Sequence, residues 1–172
     1  MTRTIFLDID GPMIPIRAYF LPNQSKIVTQ FDPCATGMLL HLIKLTDAKL
    51  VISSVHRLQG KQHIEELFEQ NGIPIEHLHY DWHTTMDQGN TRTEEIQFWL
   101  NDHPDIHYYI AIDDEKLHDT LVSAKCSGYE GFSMANLLEC KIALHAYEGA
   151  VDDIPESVQL ERWQSTLDFI KS

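Results

Sequence analysis

Three short apolar runs in this chain each end in groups that can handle an electrophile or a cation. Ile5-Phe6-Leu7 leads to Asp8 and Asp10, Leu50-Val51-Ile52 to Ser53 and Ser54, and Ile110-Ala111-Ile112 to Asp113 and Asp114. If the runs are parallel strands of one open α/β sheet, all six side chains gather at its carboxyl edge, where such sheets bind ligands. Carboxylates converging there are costly unless a cation neutralises them. Hard oxygen donors with positions left open suit Mg²⁺, which keeps waters and takes up substrate phosphate. Taken singly, each signal is ordinary: an acidic pair after a strand is more often a cap or loop than a ligand, and serines commonly open loops. Their order and matching location lift the combined reading above that background.

The elements that must position these groups alternate between strand and helix, which predicts an α/β domain with a mainly parallel sheet. Thr4–Ile9 reads as a central strand buried on both faces. From Gly11 to Phe31, Pro12, Pro15 and Pro22 forbid a regular helix, so residues 12–31 read as a flap over the end of that strand. Asp32 caps a helix that begins at Pro33, with Met38, Leu39, Leu42, Ile43 and Leu45 on its apolar face. Lys49–Ile52 is a second strand, and Leu58–Asn71 a helix ended by Gly72. The segment HLHYDWH gives a third strand. Thr91 or Thr93 caps a helix with Ile96, Trp99 and Leu100 inward, closed by Pro104. His107–Ile112 is the next strand, Ser133 caps a helix running to about Tyr147, and Pro155 opens a last helix over 155–171. Nothing marks a linker or a repeat, so residues 1–172 read as a single domain.

The chain has 172 residues, with 13 basic and 26 acidic side chains and a formal net charge of −13. A surface this acidic disfavours nucleic-acid backbones and anionic lipid as partners. The 10 histidines qualify that, since their protonation removes most of the net charge below about pH 6. Cys34, Cys126 and Cys140 are widely spaced and form no CxxC pair, as expected of reduced thiols rather than a disulfide framework. The N-terminal MTRTIFLDIDG lacks a secretory core and no apolar run is long enough to span a bilayer, so the expectation is a soluble, cytoplasmic chain, with signal-independent export left open. His77, His79 and His83 with Asp81 suggest a transition-metal cluster, but a solvated strand explains them better. His56 reads equally as a phosphate-site residue and a surface one. Trp82 and Trp99 read as core or rim aromatics.

The motifs FLDIDG, VISS and AIDD, in that order, resemble the haloacid dehalogenase-like (HAD) hydrolase superfamily, whose members are mostly Mg²⁺-dependent phosphatases. The likeness runs from about Thr4 to Glu115. VISSVHR and TRTEEIQFWLNDHPDIHYYIAIDDE are similar to small members with an Arg-rich second motif. The resemblance implies a three-layer, Rossmann-like domain with no cap domain. It implies Asp8 as the nucleophile that forms an aspartyl-phosphate, and Asp10 as general acid and then base, with its carbonyl toward the metal. Mg²⁺ would sit at Asp8, Asp10 and Asp114, supported by Asp113, and Gly11 would lie beside the phosphate. Ser53 would hold a phosphate oxygen, with Ser54 the alternative. No lysine occurs between Lys61 and Lys116, so the cation of the third motif falls to Arg92, with Arg57 competing. Pro12 departs from the Thr or Val that commonly follows the glycine. Neither Pro12–Phe31 nor Val55–Thr91 is long enough for a separate cap, so the site should be open. A phosphorylated protein or small phosphoester is the expected substrate. A nucleotidase or polynucleotide end phosphatase is the first alternative, and a catalytically weak binding protein the second.

Overall fold

A computed structural model describes residues 2–21, 29–85 and 89–146. Its strands are β1 (Thr2–Leu7), β2 (Lys49–Ile52), β3 (Leu78–His83), β4 (Ile106–Asp113) and β5 (Ser123–Lys125), in one sheet ordered β3-β2-β1-β4-β5. Every pairing is parallel. The α-helices among the described residues are α1 (Pro33–Thr46), α2 (Lys61–Gln70), α3 (Arg92–Asp102) and α4 (Met134–Ala143).

Strand alternation sorts the core into two layers of side chains. Ile5, Leu7, Leu50, Ile52, Ile110 and Ile112 face the apolar sides of α1, α2 and α4. Phe6, Val51 and Ala111 face Ile96, Trp99 and Leu100 of α3, with Phe6 edge-on to Trp99 at 5.2 Å. The result is three layers, as expected of a Rossmann-like α/β domain. The described residues contain no separate cap, and none of their helices is long and apolar enough to cross a membrane.

The register sets up the site. Leu7 pairs with Ile52 on one side and Ile112 on the other. Asp8, Ser53 and Asp113 therefore leave the sheet on one line. The chain order reverses between β1 and β4, the switch point at which an open α/β sheet leaves a crevice.

Local chemistry explains the helix starts. The Asp32 carboxylate accepts from the amides of Cys34 and Ala35, both at 3.0 Å, with Pro33 at the first helical position. Thr91 and Glu94 close a reciprocal capping box at α3, as Ser133 and Asn136 do at α4.

Several boundaries differ from expectation. The helix expected over 58–71 is split: Val55–Gln59 is a 3-10 turn, Gly60 takes φ 91°, and only then does α2 begin. Leu45 is exposed rather than inward. The helix expected to reach Tyr147 ends at Ala143, and Tyr147 itself is outside the described residues. The expected helix over 155–171 and residues 22–28 of the expected flap also lie outside them. The described part of the flap carries a 3-10 helix at Ile16–Phe20. Cys126 and Cys140 are buried, and burial pushes the Cys126 thiol up to about 12.

Candidate active site

The strand ends converge as the register requires. Asp8, Asp113 and Asp114 each present a carboxylate oxygen, and the three oxygens lie within 4.8 Å of one another. Asp8 is two residues past Phe6 and Asp113 two past Ala111, so alternation turns both toward the α3 face. Arg92 waits there as the first residue of α3, fixed by the Thr91 cap. Its Nη1 is 3.0 Å from Asp113 Oδ2 and 3.5 Å from Asp8 Oδ1.

Burial dominates the electrostatics. It raises Asp8 above the usual carboxylate range, while Arg92, a hydrogen bond from Ser54 and the Ile9 amide at 2.9 Å pull the other way. Burial, and then the charge of Asp8, push Asp113 up to about 7, which Arg92 and the Glu115 amide offset only in part. Asp114 is raised by burial too. Burial works against the charge on Arg92, but Asp8 and Asp113 outweigh it and the guanidinium stays firmly protonated. A divalent cation among these oxygens reverses the balance for the carboxylates.

The donor set fits Mg²⁺: hard oxygens, closely grouped, at a strand edge open to a substrate. Glycines shape the cradle. A Cβ on Gly11, which stands at φ 87°, would come within 2.4 Å of Asp114 Cγ, and one on Gly128 within 2.8 Å of Asp114 Oδ2. Only glycine at both positions lets Asp114 reach its place undisturbed.

Asp10 is different in kind. It stands at the rim, more than half exposed, and His56 Nε2 lies 3.3 Å from its Oδ2. The hydrogen bond to His56 holds Asp10 below the usual carboxylate range, against a smaller effect of burial. On its other side, His56 Nδ1 is 3.2 Å from His63 Nε2, the two rings stacked in parallel.

Of the two serines, Ser54 is the one whose hydroxyl acts on Asp8, pulling its carboxyl down against burial. The hydroxyl of Ser53 is buried with no hydrogen-bond partner, and its amide donates to Leu7 O at 3.1 Å. Arg57 is turned away from the carboxylates: its guanidinium donates to the carbonyls of Ser53 and Ser54 and to Glu95. Between Arg92 and Arg57, Arg92 is the cation that contacts Asp8. On β3, His79 is buried edge-on against Trp99 and His103, and desolvation lowers its pKa.

These groups open into a cavity of about 650 Å³. Besides Asp8, Asp10, Gly11, Arg92 and Asp114, its lining includes Ile16, Tyr19, Val55, Gly128 and Tyr129. Sequence reasoning missed Tyr19, Gly128 and Tyr129. The one trace of them is the pair of glycines bracketing Tyr129, which marks a turn but not its neighbour.

A family model for the HAD domain in Swiss Army Knife RNA repair proteins matches residues 4–137. No curated protein and no solved structure matches the chain.

Proposed function

The chain belongs to the family of HAD domains in Swiss Army Knife RNA repair proteins, and from that premise we propose that it is a Mg²⁺-dependent phosphomonoester hydrolase working through an aspartyl-phosphate. The observation that carries this reading is Arg92, set between Asp8 and Asp113 at the edge of a three-carboxylate cluster.

Asp8 attacks phosphorus. A carboxylate oxygen–phosphorus bond forms as the ester oxygen–phosphorus bond breaks, and Asp10 gives its proton to the departing oxygen. A water then attacks the aspartyl-phosphate and yields its proton to Asp10, which releases inorganic phosphate and restores Asp8. Arg92 and the Ser54 hydroxyl lie where charge gathers on the transferring group. Asp10 has to hold a proton for the first step, and the charge of the bound phosphate raises it against the pull of His56. Asp8, Asp113 and Asp114 would hold Mg²⁺, which spreads the charge of the phosphoryl group when bound.

The substrate we favour is a phosphate on a nucleotide, either free or at the end of a strand, in keeping with the RNA-repair family. The net charge of −13 weighs against extended contact with a polynucleotide and for a terminal unit. The same acidity, with an open site, supports a phosphoprotein as the second reading.

The test is phosphate release from an aryl phosphate, a nucleotide and a phosphopeptide, by the parent chain and by Asp8→Asn. Turnover lost in EDTA and in Asp8→Asn is the expected result. Turnover that persists in Asp8→Asn overturns the mechanism, and its absence on all three substrates in folded, Mg²⁺-binding protein overturns the enzyme.

A further inference from the structure

Two tyrosines stand at the mouth of the cavity and contribute nothing to the core. Tyr19 is 61% and Tyr129 69% exposed, yet both line the same cavity as Asp8, Asp10 and Arg92. They come from distant segments that are fastened together. The Ile16 amide donates to Gly128 O at 2.9 Å, and the Arg17 amide to Tyr129 O at 3.3 Å. Arg17 adds ion pairs to Asp32 at 2.9 Å and Glu130 at 3.2 Å. Ile16 and Val55 extend the apolar lining. The two backbone segments that carry the tyrosines are thus tied to each other at the edge of the site.

Resting on the phosphatase reading, we propose that Tyr19 and Tyr129 form a stacking wall for the nucleobase of the nucleotide whose phosphate sits at Asp8. Charge argues for a base. Around the phosphate the lining carries Asp10, Asp114 and Glu115, while its arginine, Arg92, is engaged with Asp8 and Asp113. Arg17, beside the wall, is likewise engaged with Asp32 and Glu130. Such a rim gives little hold on further phosphates. It offers instead aromatic faces, which attract any base whatever its sequence identity.

Position argues against a phosphotyrosyl side chain. There the ring carries the ester oxygen itself, so it would lie directly against the reacting phosphate between Asp8 and Asp10. In a nucleotide the sugar sets the base outward, to the exposed rim that the tyrosines occupy.

The experiment compares kcat/KM for adenosine monophosphates (3′ and 5′), glycerol 2-phosphate and a phosphotyrosyl peptide in Mg²⁺. Parent chain, Tyr19→Ala, Tyr129→Ala and the two Tyr→Phe variants are measured together. At least one adenosine monophosphate is expected to exceed glycerol 2-phosphate, and each Ala variant to cut that ratio by about 5- to 100-fold. The Phe variants keep the ratio, because the ring face is what stacks. A parent ratio near one, an unmoved ratio in the Ala variants, or a preference for the peptide overturns the wall. Binding to Asp8→Asn separates this from the parent reading. Tyr→Ala changes that weaken adenosine monophosphate more than inorganic phosphate sustain the wall even if no substrate turns over. Equal weakening of both overturns it.

Discussion

Arg57 and Glu95 form a buried ion pair that joins the 3-10 turn after β2 to α3, with Nη2 to Oε2 at 2.8 Å and both side chains almost wholly inaccessible. The same guanidinium holds the carbonyls of Ser53 and Ser54. The loop bearing Ser54 and the helix bearing Arg92 are thereby set against each other, although neither Arg57 nor Glu95 lines the cavity. Removing one partner of a buried pair costs about 3–5 kcal/mol. Arg57→Met is expected to lower the unfolding free energy in urea by about that much. Replacing both residues with apolar ones should recover only part of the loss, since the carbonyls of Ser53 and Ser54 still lack their donor. A loss in Arg57→Met no larger than that of a typical surface substitution removes the pair from the argument.

Asp113 links pH to metal. Its ordinary value is 3.8 and it stands at about 7 in the folded, metal-free chain, so folding favours its protonated form. That contribution to stability is fully present below about pH 4 and is lost as pH rises through about 7. A cation needs the ionised carboxylate, so its stabilising effect grows over the same interval and its binding releases protons. The rise in Tm on adding Mg²⁺ is therefore expected to be larger at pH 8 than at pH 5.5. A Mg²⁺ effect that shrinks with rising pH contradicts the assignment.

Gly128→Ala tests the cradle without backbone strain. Its Cβ would lie 2.8 Å from Asp114 Oδ2, a flexible side-chain end that moves more readily than it clashes. Asp114 is expected to be displaced, so that the Mg²⁺ concentration for half-maximal phosphate release rises while the Tm of the metal-free chain stays within a few degrees. Gly11→Ala makes the closer contact and adds a residue with φ 87°, so it should lose stability as well.

Arg92→Met removes the cation facing Asp8 and Asp113. Loss of one such group from a site of developing charge lowers kcat by about 10²- to 10³-fold. Arg92→Lys keeps the charge but not the fork, and should fall between Met and the parent in single-turnover rate. Equal rates in all three proteins place the stabilisation elsewhere.

The apolar strands and the polar groups that end them were legible in the sequence because a central parallel strand has no solvated face to hide its pattern. The caps at Asp32 and Ser133, and Thr91 as one of two candidate threonines, are legible because capping is a contact over two or three residues. Long-range contacts were not. Arg57 offers no local sign that it will be buried, since Glu95 is 38 residues away. Ser53 and Ser54 are chemically alike, and although the register of β2 sets Ser53 level with Asp8, it is the Ser54 hydroxyl that acts on the Asp8 carboxyl. β5 has three residues with Ala124 its one buried member, too little for any periodicity. The helix expected from Leu58 runs through Gly60, yet Leu58 is exposed and the break falls just after it, where Gly60 takes φ 91°.

The place of β1 in the sheet also bears on synthesis. Of the five strands, β1, which leads to Asp8, is made first, and its two neighbours arrive far apart in time. Its pairing with β2 is available once Ile52 has emerged, whereas its other edge stays open until Ile112 is out to meet Leu7. Through that interval a growing chain carries an apolar strand with one edge unpaired, the condition that invites pairing with a neighbouring nascent copy. Asp8 is made before Arg92, Asp113 and Asp114, the groups that surround it.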